Sequence, residues 1–181
     1  MIIIRPCEAE EDLAVAAELI AELAQWDSAE TEKLGFAGQE VLDFYYSAGS
    51  ALPGPEVRRR GLTLLGYAGA EVGGCIAYRE IEPAICELKR MYVRARLRRT
   101  GLGRALVTNL ISRARAAGYA HMRLETVSFM AAAIRMYETM GFVRCAPYYN
   151  IPDIFLPITI FMEKSLEEPG DAASAMTRHG T

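Results

Sequence analysis

The sequence predicts an α/β (α+β) protein, with one mixed, mostly antiparallel sheet of about six to seven strands and about four flanking helices. Three observations predict it. Short runs of β-branched, aliphatic and aromatic residues are separated by turn-sized gaps; longer stretches carry apolar residues three and four apart; and the strands come first as a meander, then alternate with helices. The chain has 181 residues, 51% of them hydrophobic, which is enough to bury a core. One domain is expected over residues 1–166, with a mobile tail over residues 167–181 that lacks apolar periodicity.

Residues 1–5 form a β-branched run closed by Pro6, an opening strand. From residue 8 to 26, Leu13, Ala16, Leu19, Ile20 and Leu23 recur at helical spacing, and Glu8, Glu10, Glu11 and Asp12 suit the positive end of the helix dipole. After Gly35 and Gly38, the residues Val41, Leu42, Tyr45 and Tyr46 read as a second, shorter helix, ended by a loop over residues 47–55. Residues 62–68 and 72–80 make a hairpin about Gly69, and residues 85–93 a third strand of the meander. A helix follows over about residues 101–117, stopped by Gly118. Residues 121–127 read as a strand and residues 130–140 as a helix closed by Gly141. Residues 142–145 and 154–162 read as the last two strands, with a loop over residues 147–153 between them.

Composition excludes several classes of function. No stretch of roughly 18 apolar residues occurs and the N-terminus lacks the pattern of an export signal, so a cytoplasmic protein with no membrane partner is expected. Cys7, Cys75, Cys86 and Cys145 are far apart without a C-x-x-C spacing, which signals neither metal site nor disulfide framework. The net charge of -3 argues against a nucleic-acid partner, and the arginines at 90, 94, 96, 98, 99 and 104 have no aromatic stacking platform interleaved with them.

The chemistry concentrates where that arginine run meets a helix. Arg98-Arg99-Thr100-Gly101-Leu102-Gly103-Arg104 lies between a strand and a helix, where unpaired N–H groups and the helix dipole make an anion site. Gly101 and Gly103 let a pyrophosphate approach the amides, and Arg98, Arg99 and Arg104 supply charge. A glycine-bearing helix start without a ligand is the competing reading. The Walker spacing is absent, and the third glycine of a dinucleotide fingerprint would fall on Leu106.

The stretch Glu87-Leu88-Lys89-Arg90-Met91-Tyr92-Val93, followed by Arg98 to Leu106, resembles the core of GNAT acetyltransferases, whose loop signature is Gln/Arg-x-x-Gly-x-Gly/Ala. Farther on, Ala133-Ile134-Arg135-Met136-Tyr137-Glu138-Thr139-Met140-Gly141-Phe142 resembles that superfamily's A-I-x-L-Y-E-x-x-G-F segment. The resemblance covers about residues 2–163. It departs at Ala95 and Arg99, where many members have Pro and Gly, and at Met130, where many place an Asn that reaches the pantetheine arm.

The resemblance implies a fold in which the strand of residues 88–93 diverges from that of residues 123–127, with acetyl-CoA as cosubstrate and no metal. Met91, Tyr92 and Val93 would line the pantetheine, Met91 and Val93 through their backbone, while Arg98, Arg99, Thr100, Gly101, Leu102, Gly103 and Arg104 would hold the pyrophosphate. The reaction would be direct attack of a small-molecule amine acceptor on the thioester in a ternary complex. Glu87, six residues before Val93, stands where a subset of the family keeps a catalytic base; the competing reading is a surface Glu paired with Lys89 or an arginine. Tyr137 falls where the family's tyrosine protonates the departing thiolate; a plain core Tyr competes. His121, beside Tyr119 at a strand start, reads as structural. Acceptor choice would fall to Trp26, Phe44, Tyr45, Tyr46 and the loop over residues 147–153; aromatic walls with Asp153 would suit a small cationic amine or amino-acid-like acceptor, and ordinary packing of these aromatics is the competing reading. A homodimer stays open. The alternative from another class is a non-catalytic acyl-CoA-binding module, against which the presence of both Glu87 and Tyr137 argues.

Overall fold

The computed structural model describes residues 1–46 and 61–167. The loop expected over residues 47–55 lies outside the described residues, as does nearly all of the expected tail, residues 168–181. Seven strands, β1 (Ile2–Pro6), β2 (Gly61–Ala68), β3 (Glu71–Glu82), β4 (Ile85–Val93), β5 (His121–Val127), β6 (Val143–Arg144) and β7 (Thr159–Ser165), form one sheet in the order β1-β2-β3-β4-β5-β7-β6. The pairs β1–β2, β2–β3, β5–β7 and β6–β7 run antiparallel. Four helices stand among the described residues: α1 (Glu10–Glu32), α2 (Gly38–Tyr45), α3 (Leu102–Ala116) and α4 (Ala131–Thr139). This is the mixed α/β architecture expected from the sequence. It divides into two compact units, Met1–Arg79 with Leu88–Leu110, and Glu80–Glu87 with Ile111–Thr181.

In the first unit, α1 begins on Asp12, whose carboxylate accepts the N–H groups of Glu8 at 3.2 Å and Ala9 at 3.3 Å and pairs with Arg5 at 2.9 Å. Those amides hold its carboxyl below the usual range, the Glu8 bond most strongly. Ala16, Leu19 and Leu23 bury the apolar stripe. The helix runs six residues past the expected end at residue 26, because nothing from Asp27 to Glu32 opposes helix; Gly35, at φ +89°, turns the chain away. Consecutive residues are buried in β2 (Leu64, Leu65) and β3 (Cys75, Ile76), so the sheet is covered on both faces here.

Two details of this unit position the segment that carries the chemistry. A Cβ on Gly74 would sit 2.4 Å from the carbonyl oxygen of Tyr92, so only glycine lets the backbones come this close. Arg90 takes a left-handed backbone, φ +56°, in the middle of β4, which interrupts the pleat before the last three residues of the strand.

In the second unit, β5 pairs with β7 from His121 opposite Ser165 to Val127 opposite Thr159, and Met122, Leu124 and Thr126 bury one face. The last two strands differ from expectation. β6 is only two residues, and β7 begins at Thr159 instead of residue 154. The reason is a turn that takes the preceding backbone groups: Phe155 N–H donates to Pro152, and those of Ile158 and Thr159 to Phe155, while Pro157 has no N–H for a ladder.

Gly74→Ala is expected to destabilise the fold by about 1–3 kcal/mol through this close approach, which at about 2–4 °C per kcal/mol lowers the melting temperature by several degrees. Calorimetric melting checks it, and a transition within about 1 °C of wild type would show that β3 and β4 part without strain.

Candidate functional site

The first unit holds the glycine turn that the sequence marks as a candidate anion site. After β4 the chain makes a 3-10 turn over Ala95–Leu97, which the sequence did not announce, and Thr100 Oγ1 donates to the Leu97 carbonyl at 2.7 Å. Arg99 at φ +66° and Gly101 at φ +92° then swing the chain into α3. Leu102, wholly buried, pins the helix start, while Arg98, Arg99 and Arg104 stay exposed. The first intrahelical bond is Ala105 N–H to the Gly101 carbonyl at 3.0 Å, and the N–H groups of Gly101, Leu102 and Gly103 meet no acceptor among the described residues. Donors at the positive end of a 15-residue helix, in a segment that carries the exposed Arg98, Arg99 and Arg104, have the chemistry to take a pyrophosphate.

Arg94 fixes this turn. Its N–H donates to Gly73 at 2.9 Å, Nη1 to the Val72 carbonyl at 3.1 Å, and Nε and Nη2 to Glu22 Oε1 at 3.0 and 2.7 Å. The Tyr92 hydroxyl also donates to Glu22, at 3.2 Å. Arg94 holds the Glu22 carboxyl below its usual range. Arg98 bends back, donating Nε to the Val93 carbonyl at 3.1 Å, and lies 5.3 Å over the ring of Trp26, the protein's single tryptophan.

One residue on from Trp26, Asp27 accepts the hydroxyl of Tyr46 on Oδ2. Its Oδ1 is shut from solvent and has no hydrogen-bond partner among the described residues. Burial pushes the carboxyl up to about 6, outweighing the Tyr46 bond and the attraction of Arg90. Arg90 itself donates to the Tyr45 carbonyl at 2.7 Å and lies 4.5 Å over the Tyr46 ring. Sequence reading singled out Trp26, Tyr45 and Tyr46 but missed Asp27, which looks like any acidic residue of a solvated helix face.

The second unit carries the two proposed catalytic side chains. Glu87 is not a surface residue: it is 0% exposed, and Tyr148 donates to its Oε1 at 2.9 Å. Burial raises the Tyr148 phenol strongly, with Glu87 adding to it. Arg123 lies 5.3 Å over the Tyr148 ring and pairs with Glu163 at 2.7 Å and Glu82 at 3.1 Å. Tyr149 and Phe161 meet Tyr148 edge-on, so the aromatic loop of residues 147–153 closes over a carboxylate. Tyr137 is buried against Phe142, with ring centroids 5.7 Å apart, and its hydroxyl makes no hydrogen bond among the described residues. Burial raises its phenol, which keeps it protonated at neutral pH. Met130 accepts the Thr126 hydroxyl on its sulfur at 3.5 Å. His121 bonds through its backbone, to Ala84 and from Cys86. Asp153 is exposed.

The sequence profile of the Acetyltransferase (GNAT) family matches residues 20–142, more than half of the chain. The chain belongs to that family. An uncharacterized N-acetyltransferase of Schizosaccharomyces pombe is 34% identical over 96 residues, 52% of this chain and 57% of the relative. The IAA acetyltransferase of Azospirillum brasilense is 38% identical over 102 residues, 55% of this chain and 63% of the relative. The chain thus spans little more than half the length of the first of these relatives. A crystal structure described as an acyl-CoA N-acyltransferase, from Klebsiella pneumoniae, superposes with a TM-score of 0.67 at 31% identity, covering 92% of this chain and 99% of its own. A Salmonella typhimurium protein solved with its cofactor acetyl-CoA shares the fold, with a TM-score of 0.63 at 20% identity over 93% of this chain and 96% of its own. Among the described residues no helix is long and apolar enough to cross a membrane, and no group of three His, Cys, Asp or Glu side chains is gathered to hold a metal.

Proposed function

We propose that the chain transfers the acetyl group of acetyl-CoA to a primary amine of a small acceptor, by direct attack in a ternary complex. The observation that carries this reading is the row of N–H groups at Gly101, Leu102 and Gly103 that meet no acceptor among the described residues, in a segment that also carries Arg98, Arg99 and Arg104. Membership of the GNAT family supports it, as does the sharing of the fold with a protein solved with acetyl-CoA. The pyrophosphate takes the turn, and Met91, Tyr92 and Val93 line the pantetheine.

An alkylamine with a pKa of about 10 reaches the site as its ammonium ion and must lose a proton to attack. Glu87 accepts that proton, directly or through water, with Tyr148 holding its other oxygen in place. The amine nitrogen bonds to the thioester carbonyl carbon, the C–S bond breaks, and the sulfur leaves with the electron pair. Tyr137 donates its proton to the thiolate, a role for which a protonated phenol with an unengaged hydroxyl is suited. The second proton that the nitrogen sheds in becoming an amide passes through water to the Tyr137 phenolate and restores it.

Three measurements test the reading. Gly101→Glu should abolish acetyl-CoA binding in calorimetry by filling the phosphate site with negative charge, whereas Gly101→Ala, which bears the same strain at φ +92°, should retain most of it. Equal affinity in wild type and Gly101→Glu would remove the cofactor from this turn.

Glu87→Gln should lower kcat with little change in cofactor affinity, and much of the rate should return at high pH, where the amine deprotonates unaided. A pH–rate profile of unchanged shape would leave Glu87 a purely structural group.

Tyr137→Phe should fold and bind acetyl-CoA like wild type, yet lose about 10²-fold in both kcat and kcat/KM, the lower end of general acid catalysis for a thiol leaving group of pKa about 8.5. Normal turnover per folded molecule would strike Tyr137 from the mechanism.

A further inference from the structure

Asp27 takes no part in the reaction described above, yet it is set up at a disadvantage to the fold. A carboxylate oxygen that is shut from solvent and unbonded carries its full desolvation penalty, and Oδ1 is such an atom. Pinning α1 to the end of α2 would explain Oδ2, which takes the Tyr46 hydroxyl. It does not explain Oδ1, because an uncharged side chain would accept the same hydroxyl without burying a charge.

The groups that face Asp27 come from two elements. Tyr46, just past α2, bonds it, and Arg90 of β4 attracts it. The Arg90 guanidinium is turned elsewhere, to the Tyr45 carbonyl at 2.7 Å and the Tyr46 ring at 4.5 Å. The residue before it on α1, Trp26, lies under Arg98 of the cofactor turn. A buried carboxylate oxygen with no donor among the described residues, on a side chain held by the Tyr46 phenol and one residue from the contact of Trp26 with that turn, has the composition of an ammonium site.

We propose that Asp27 is an acceptor-binding residue, receiving on Oδ1 a hydrogen bond from an alkylammonium group of the acceptor while Tyr46 holds Oδ2. The inference rests on the acetyltransferase reading and deepens it: the acceptors are cationic amines, and neutral amides, alcohols and carboxylic acids are rejected because each leaves the charge of Asp27 unmatched. The pH dependence follows. With the carboxyl pushed up to about 6, Asp27 is ionised at pH 7.5 and largely protonated at pH 5. Affinity for an ammonium is therefore present above about pH 6 and is lost as pH falls through it. A bound cation favours the ionised form and moves the midpoint in the complex lower.

The test is calorimetry of phenethylamine and of spermidine with the full chain in saturating coenzyme A, which fills the turn and has no acetyl group to give. Both probes stay charged below about pH 8, so a change near pH 6 belongs to the protein. Wild type at pH 7.5 should bind at least one probe about tenfold or more tighter than Asp27→Asn, which keeps the shape and the Tyr46 bond. Below pH 6 the wild-type affinity should fall by up to about tenfold per pH unit toward that of the variant, whose own affinity stays flat. Tyr46→Phe, which keeps the charge, should stay within a few-fold of wild type. Equal affinities in wild type and Asp27→Asn, or no binding of either probe while coenzyme A is bound, overturns the assignment. If Asp27→Asn does not fold, the wild-type profile decides: an affinity constant from pH 5 to 7.5 overturns it too. Failure of coenzyme A itself to bind refutes the acetyltransferase reading instead, and the same titrations on the coenzyme-free chain then judge Asp27 independently.

Discussion

The fork of Arg94 on Glu22 is the interaction on which the turn between β4 and α3 depends. A guanidinium presents five donors in one plane, and here they are spent on two elements at once: the carboxylate of α1 and the Val72 carbonyl of β3. With its own N–H on Gly73, the residue after β4 is tied on three sides. Little freedom remains for the chain that follows. Arg98 closes back on the Val93 carbonyl, two left-handed residues reverse the direction, and buried Leu102 starts α3 with its first N–H groups unmet. The gap between β3 and β4 that allows this is set by Gly73 and Gly74. A Cβ on the first would strike Leu97 at 2.3 Å and on the second the Tyr92 carbonyl at 2.4 Å.

Each unit tolerates arrangements that weaken it. Glu87 is wholly buried with a tyrosine as donor, Arg90 takes a left-handed backbone within a strand, and among the described residues neither the Tyr137 hydroxyl nor the buried Asp27 Oδ1 has a hydrogen-bond partner. Groups held against local preference concentrate where a protein works, since stability is sacrificed for geometry there. The groups fall in both compact units. The first has the proposed phosphate-binding turn and the Asp27 cluster, the second the two proton-transfer candidates.

Much of the architecture was legible because it depends on local pattern. The boundaries of β4 and β5 follow from runs of branched and aromatic residues, and α3 from a glycine pair, an apolar stripe and Gly118. Two elements were misjudged for reasons that pattern does not contain. The end of α1 was placed at the last apolar residue, whereas its last turns are held by backbone bonds with Thr31 inward. β7 was begun at an apolar residue, whereas the turn over residues 152–159 uses those backbone groups first.

The sequence by itself determined the fold class, the family and the glycine turn at the start of α3, since each lies in contiguous residues whose types and spacing carry their own physics: backbone freedom at glycine, charge at arginine, periodicity in the apolar stripe. Only the tertiary structure decided what each isolated polar side chain faces. Glu87 could have been a surface carboxylate, and the Tyr148 hydroxyl, 61 residues away in sequence, makes it a buried one. Asp27 reads as an ordinary acidic helix residue until Tyr46 and Arg90 are brought to it and water is removed from Oδ1. The ionisation of a carboxylate is set by what surrounds it within a few ångströms, and that neighbourhood is assembled by residues far apart along the chain.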